Sequence, residues 1–200
     1  MAYYVRLLTP GEKIIPFNDI LLEIETVKLV AGTEREWGKI EIADPEGHAI
    51  ALLERKPVAS EAGAAELAVM KKLAAGSEPE NARAWVEKFL ARVKTIYSFQ
   101  LYPDAIGSHD WRVLGGVQNL LKDALSGIIQ ADDEGFYNEE GDYILWQMYP
   151  GAAGSIPAAT LGENGEWISF QLNLNDDRAV ARFKRGEMPR RGLFDVFFKK

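Results

Sequence analysis

Two hundred residues, 47% apolar and 10% aromatic, suffice for one large core or two small adjoining ones, which excludes a disordered chain. The absence of cysteine excludes disulfides, thiolate metal sites and thiol nucleophiles, and fits a reducing cytoplasm. The net charge of −7 is concentrated: residues 97–177 carry only Arg112 and Lys122 against 13 acids, which excludes a phosphate backbone as their ligand.

The chain opens on Tyr3-Tyr4-Val5-Arg6-Leu7-Leu8, whose aromatic and β-branched content predicts a strand ended by Pro10-Gly11. No basic region leads into an apolar run here, and no run approaches the roughly 20 residues that span a bilayer, so a soluble cytoplasmic protein is expected. Ile14 to Ile24 is interrupted by Pro16 and leaves open a short helix after Asn18 or irregular structure. Val27 to Ala31 reads as a strand. Trp37–Ile42 and His48–Leu53 flank Asp44-Pro45-Glu46-Gly47, where proline presets one turn angle and glycine accepts another, so a β-hairpin follows.

Ala62 to Ala75 is alanine-rich and helix-favouring. Ser77-Glu78-Pro79-Glu80 has capping-box spacing, and behind it Trp85, Val86, Phe89, Leu90, Val93, Ile96 and Tyr97 keep helical period. Tyr102 to Ser108 is a connector. A second amphipathic helix from Trp111 carries Leu114, Val117, Leu121, Ala124 and Ile128, widened by Val113, Leu120 and Leu125. Gly115-Gly116 inside it predicts a close neighbour, or else a later start near Val117.

Two acidic turns follow, Asp132-Asp133-Glu134-Gly135 and Glu139-Glu140-Gly141-Asp142, before an aromatic strand from Tyr143 to Tyr149. Gly151 to Ser155 is a link. Ile156–Leu161 and Trp167–Leu174 then flank Glu163-Asn164-Gly165-Glu166, whose Asn-Gly pair predicts a type I′ hairpin and a three-strand meander with Tyr143–Tyr149. Arg178 to Arg185 is a short helix ended by Gly186, and Leu193 to Phe198 closes the chain beside Lys199-Lys200. The fold class is therefore α+β. A hairpin-rich N-terminal sheet and a C-terminal meander pack with two or three central helices, in one compact domain or two close halves (1–100 and 101–200).

The acidic turns place six carboxylates within eleven residues, the densest chemistry in the chain. Such groups suit a hard cation or paired acid–base work, but neither Gly135 nor Gly141 falls in calcium-loop register, and acids are ordinary turn formers. Ser108-His109-Asp110 is contiguous, so helix capping accounts for it better than a triad drawn from separate segments. His48 reads as an exposed hairpin residue. No Gly-x-Ser-x-Gly elbow, phosphate loop or dinucleotide fingerprint is present. Trp146 and Trp167 sit beside the acids, and Trp167 shares a polar strand face with Ser169, Gln171 and Asn173.

The basic segment after residue 178 is read as folding back on the acidic middle rather than as a nucleic-acid site. Two functional readings remain. The preferred one is a non-enzymatic cytoplasmic binding or regulatory protein without cofactor or metal, in the manner of an immunity or inhibitor protein. It would meet a basic protein partner through Asp132, Asp133, Glu134, Glu139, Glu140, Asp142, Trp146 and Trp167. The alternative is a metal-dependent hydrolase using the same six carboxylates.

Overall fold

The computed structural model describes residues 3–23, 26–103 and 108–188, leaving the side chains of 23 and 108–111 outside the description. Ten strands form one continuous sheet, with helices on its faces. β1 (Tyr3–Thr9) lies at its middle, antiparallel to β5 (Thr95–Leu101) on one side and β6 (Ile128–Ala131) on the other. Outward from β5 run β4 (Ala49–Pro57), β3 (Trp37–Ala43) and the edge strand β2 (Val27–Gly32), all antiparallel. Outward from β6 run β7 (Gly135–Tyr137), β8 (Tyr143–Trp146), β9 (Ser155–Leu161) and the other edge, β10 (Trp167–Asn173). The expected α+β class holds, and the N-terminal and C-terminal sheets are joined through β1 and β6.

Period-2 alternation sends side chains of β1 to two separate cores. Val5 and Leu7 join Ile40, Ile42, Leu53, Phe99 and Ala131 under α1 (Phe17–Glu23) and α4 (Ser108–Leu125). Leu8 points the other way, with Ile96, Ile128 and Phe136, under α2 (Glu61–Ala75) and α3 (Glu80–Leu90). A third cluster packs α5 (Asp177–Lys184) on β8, β9 and β10 through Phe183, Tyr143 and Leu172. Trp37 is buried whole because its indole N–H reaches the Ile15 carbonyl at 2.7 Å.

Several expectations need correction. The helix read through Tyr97 stops at Leu90, and Ile96 and Tyr97 belong to β5. Nearly every residue of β5 is buried, so its apolar run matches helix and strand periods alike. The helix from Ser108 ends at Leu125, because Ser126 adopts a positive φ and Gly127 passes against the Leu8 carbonyl. Ile128 therefore starts β6, and Ala124 is exposed. Ser77 does not cap α3; its hydroxyl donates to the Leu73 carbonyl and closes α2, which Ser60 opens by accepting from the Gly63 amide.

The β9–β10 turn is not type I′. Gly165 alone among its residues has a positive φ, and its amide donates back to the Gly162 carbonyl, so Glu163 and Asn164 are the turn's centre. β8 and β9 run parallel, which breaks the expected meander: residues 147–154 carry the chain back to the other end of β8. The short helix α1 resolves the ambiguity after Pro16, and α5 ends at Gly186 as expected. The segment from Leu193 to Phe198 and the connector at 104–107 lie outside the described residues.

Gly115 stands in mid-helix with no positive φ and open space where a Cβ would go, so at this member of the Gly115-Gly116 pair the expected close neighbour is absent among the described residues; the surroundings of Gly116 lie outside the description. Gly115→Ala should accordingly raise stability by about 0.5–1 kcal/mol through lower unfolded-state entropy. A urea midpoint that falls on this substitution would show that the helix is crowded there after all.

Candidate functional site

Strand register assembles a polar row across the sheet. Lys39 faces Glu54, Glu54 faces Ser98, Ser98 faces Arg6, and Arg6 faces Gln130. Cross-strand neighbours share a face, so five strands contribute one polar side chain each beneath α2. From α2, Glu66 accepts the Arg6 Nε–H at 2.6 Å and the Ser98 hydroxyl at 2.8 Å on one oxygen, and Lys56 at 2.6 Å on the other. Burial pushes the Glu66 carboxyl up, but Lys56, Arg6 and Ser98 outweigh it and hold the group below its ordinary value. Burial pulls the Lys56 amine down, and its bonds to Glu66 and Glu54 more than reverse that.

Arg6, only 8% exposed, also donates through Nη1 to Gln130 Oε1 at 2.6 Å and to Asp132 Oδ1 at 2.5 Å. The Tyr4 amide donates to the second Asp132 oxygen at 3.1 Å. Thus the first acidic turn is anchored by a buried cation on the adjacent strand β1, more than a hundred residues away in sequence. Asp133, next to it, takes a left-handed φ of 57°.

The six turn carboxylates do not converge. Glu134 accepts the hydroxyls of Tyr3 at 2.6 Å and Tyr137 at 2.5 Å, and burial together with that carboxylate pushes both phenols well above their usual range. Asp142 is buried, accepting the Ser169 hydroxyl at 2.5 Å while its amide donates to Asn138 Oδ1 at 2.7 Å. These two acids, like Asp132, serve internal bonds. Asp132 and the remaining three line two separate clefts at opposite ends of β8.

The larger cleft, about 820 Å³, lies under the second half of α2. Val69, Leu73, Trp146 and Tyr3 supply apolar lining, and Gln130, Asp132, Asp133, Ser77, Gln147 and Lys72 supply polar groups. The smaller, about 330 Å³, holds Glu139, Glu140 and Glu166 beside Trp85 and Trp167. Those two indoles meet edge to face at 5.1 Å between centroids. Trp167 is half-buried by that contact rather than fully exposed.

Asp132, Asp133 and Trp146 belong to the first cleft and Glu139, Glu140 and Trp167 to the second, so the residues expected to form one surface are divided between two. Arg6, Glu66 and Gln130 are not among the expected site residues, although a lone arginine inside an apolar strand signals that a partner must be buried with it. Lys184, in the described part of the basic segment, sits over the Trp146 ring at 4.6 Å and 3.8 Å from Glu78, not on the acidic turns. Arg190, Arg191, Lys199 and Lys200 lie outside the described residues, as do the side chains of Ser108, His109 and Asp110.

Among the described residues no three histidine, aspartate or glutamate side chains come together as a metal site. The His48 ring is exposed at the hairpin tip and pairs with Asp44 at 2.9 Å. No described helix is long and apolar enough to cross a membrane. Comparison with protein-family models, with curated proteins and with solved structures gave no match.

Proposed function

We propose that this chain is a non-enzymatic cytoplasmic binding or regulatory protein that captures a basic protein partner, with the Trp85–Trp167 cleft as the anchor. The observation that carries this reading is an imbalance of charge. Glu54, Glu66, Asp132, Glu134 and Asp142 all find donors inside the molecule. The side chains of Glu139, Glu140 and Glu166, which line one cleft with two half-buried indoles, have no hydrogen bond or ion pair among the described residues. Carboxylates left without a cation around one cleft sum to a negative potential, and an incoming guanidinium meets that potential together with an aromatic surface. Carboxylates on a rim chiefly speed association and set partner choice.

An arginine–glycine repeat peptide is the direct probe. Isothermal titration should show binding that weakens steeply with salt. The Glu139→Gln/Glu140→Gln/Glu166→Gln variant should bind about tenfold more weakly and lose most of the salt slope. Asp142 is left intact because its bond to Ser169 is internal. Equal affinity in the parent and the triple variant would sink the proposal.

A further inference from the structure

The larger cleft is a second site with a different chemistry. Its floor holds two side-chain amides whose orientation is forced. Arginine only donates, so Arg6 Nη1 at 2.6 Å compels Gln130 to turn Oε1 inward. Gln130 is 1% exposed and lines the cleft, yet no bond among the described residues uses its Nε2 donor. At the other amide, the single hydroxyl proton of Ser77 goes to the Leu73 carbonyl at 2.8 Å. Ser77 Oγ must therefore accept from Gln147 Nε2, at 2.9 Å, which leaves Gln147 Oε1 unused.

One fixed donor and one fixed acceptor on the floor are the complement of one residue of an extended chain, whose carbonyl and N–H point to the same side. The walls suit what flanks it. Val69 and Leu73, one turn apart on α2, are 51% and 38% exposed, and Trp146 stands opposite in the lining. At the rim Asp133 has no bonded side-chain partner among the described residues. A volume of about 820 Å³ is within the range of ligand sites.

From this geometry we infer that the cleft under α2 takes an extended segment of the partner protein. The segment places a large apolar side chain on Val69, Leu73 and Trp146, has the C=O and N–H of one residue read by Gln130 and Gln147, and sets a lysine or arginine beside Asp133. This rests on the reading of the protein as a binding module, but it concerns the opposite end of β8 from the Trp85–Trp167 cleft and fails or stands separately.

The probe is a capped tetrapeptide, acetyl-Gly-Leu-Lys-Gly-amide, titrated calorimetrically into the full chain. Saturable binding is expected, weakened about tenfold by Val69→Arg, which fills the wall from an exposed position without touching the core. Replacing the leucine–lysine amide N–H by an ester oxygen should weaken it by a similar factor, because Gln147 then faces an acceptor. Trp167→Ala should leave it unchanged, which separates this cleft from the other. No binding by the peptide, or equal binding of peptide and ester, overturns the inference. So does binding that Val69→Arg does not weaken, or binding that appears only once residues 189–200 are removed, which would give the cleft to the chain's own C-terminal segment.

Discussion

An Arg6→Met protein should lose about 3–5 kcal/mol of unfolding free energy, the range seen when one partner of a buried ion pair is deleted. The side chain's volume is nearly kept, so the loss is not a cavity effect. What remains is Asp132 without its cation, Gln130 with an empty acceptor, and Glu66 supported only by Lys56 and Ser98. A matched control is Arg83→Met, which removes the exposed pair with Glu80 and should cost no more than about 0.5 kcal/mol. Urea melts of the two variants side by side decide the matter. If Arg6→Met costs as little as its control, water must reach the polar row and it does not act as a buried network.

The same row shapes stability against pH. Glu66 has its folded pKa lowered, so its contribution is complete above the unfolded value of 4.5 and disappears as pH falls through the lower folded value. Lys56 has its folded pKa raised, so its contribution is complete below 10.5 and disappears as pH climbs through the higher folded value. A plateau between those limits is expected, with the acid limb shallower in Arg6→Met because one of the donors holding Glu66 ionised is gone.

What the sequence made legible follows the range of the interactions concerned. The hairpin at Asp44–Gly47, the amphipathic face of α4 and the helix ended by Gly186 depend on residues a few positions apart, and all are where local chemistry puts them. β5 was hidden because a strand buried on both faces has no alternation to detect, and β6 and β7 because four and three residues are too short to show any. The site was half legible for the same reason. Acids clustered in sequence were easy to see, but whether each is neutralised depends on partners such as Arg6, more than a hundred residues from Asp132. Register between β1 and β6, which no local pattern encodes, sets Asp132 beside Arg6, whereas the Glu139 side chain meets no such donor among the described residues.

That division hangs on one backbone position. Gly135 has a φ of +137°, a region closed to other residues, and a Cβ built there would lie 2.1 Å from the Leu145 carbonyl oxygen on the neighbouring strand. It pairs with Trp146 across β7 and β8, directly after the turn that aims Asp132 and Asp133 at one cleft and turns Glu134 away to Tyr3 and Tyr137. Gly135→Ala has to pay for backbone strain and also push β8 aside, about 3 kcal/mol or more together. Gly165 is the control: its φ is +78° with open space around it, so Gly165→Ala meets the conformational term alone, about 1–2 kcal/mol. Because β8 runs between the two clefts, Gly135→Ala should also weaken both peptide probes, whereas Gly165→Ala should disturb only the one bound at Glu166 and Trp167. Equal destabilisation by the two substitutions would mean that β7 and β8 are not packed as closely as the Leu145 carbonyl indicates, and the fixed positions of the acidic turns would lose their physical basis.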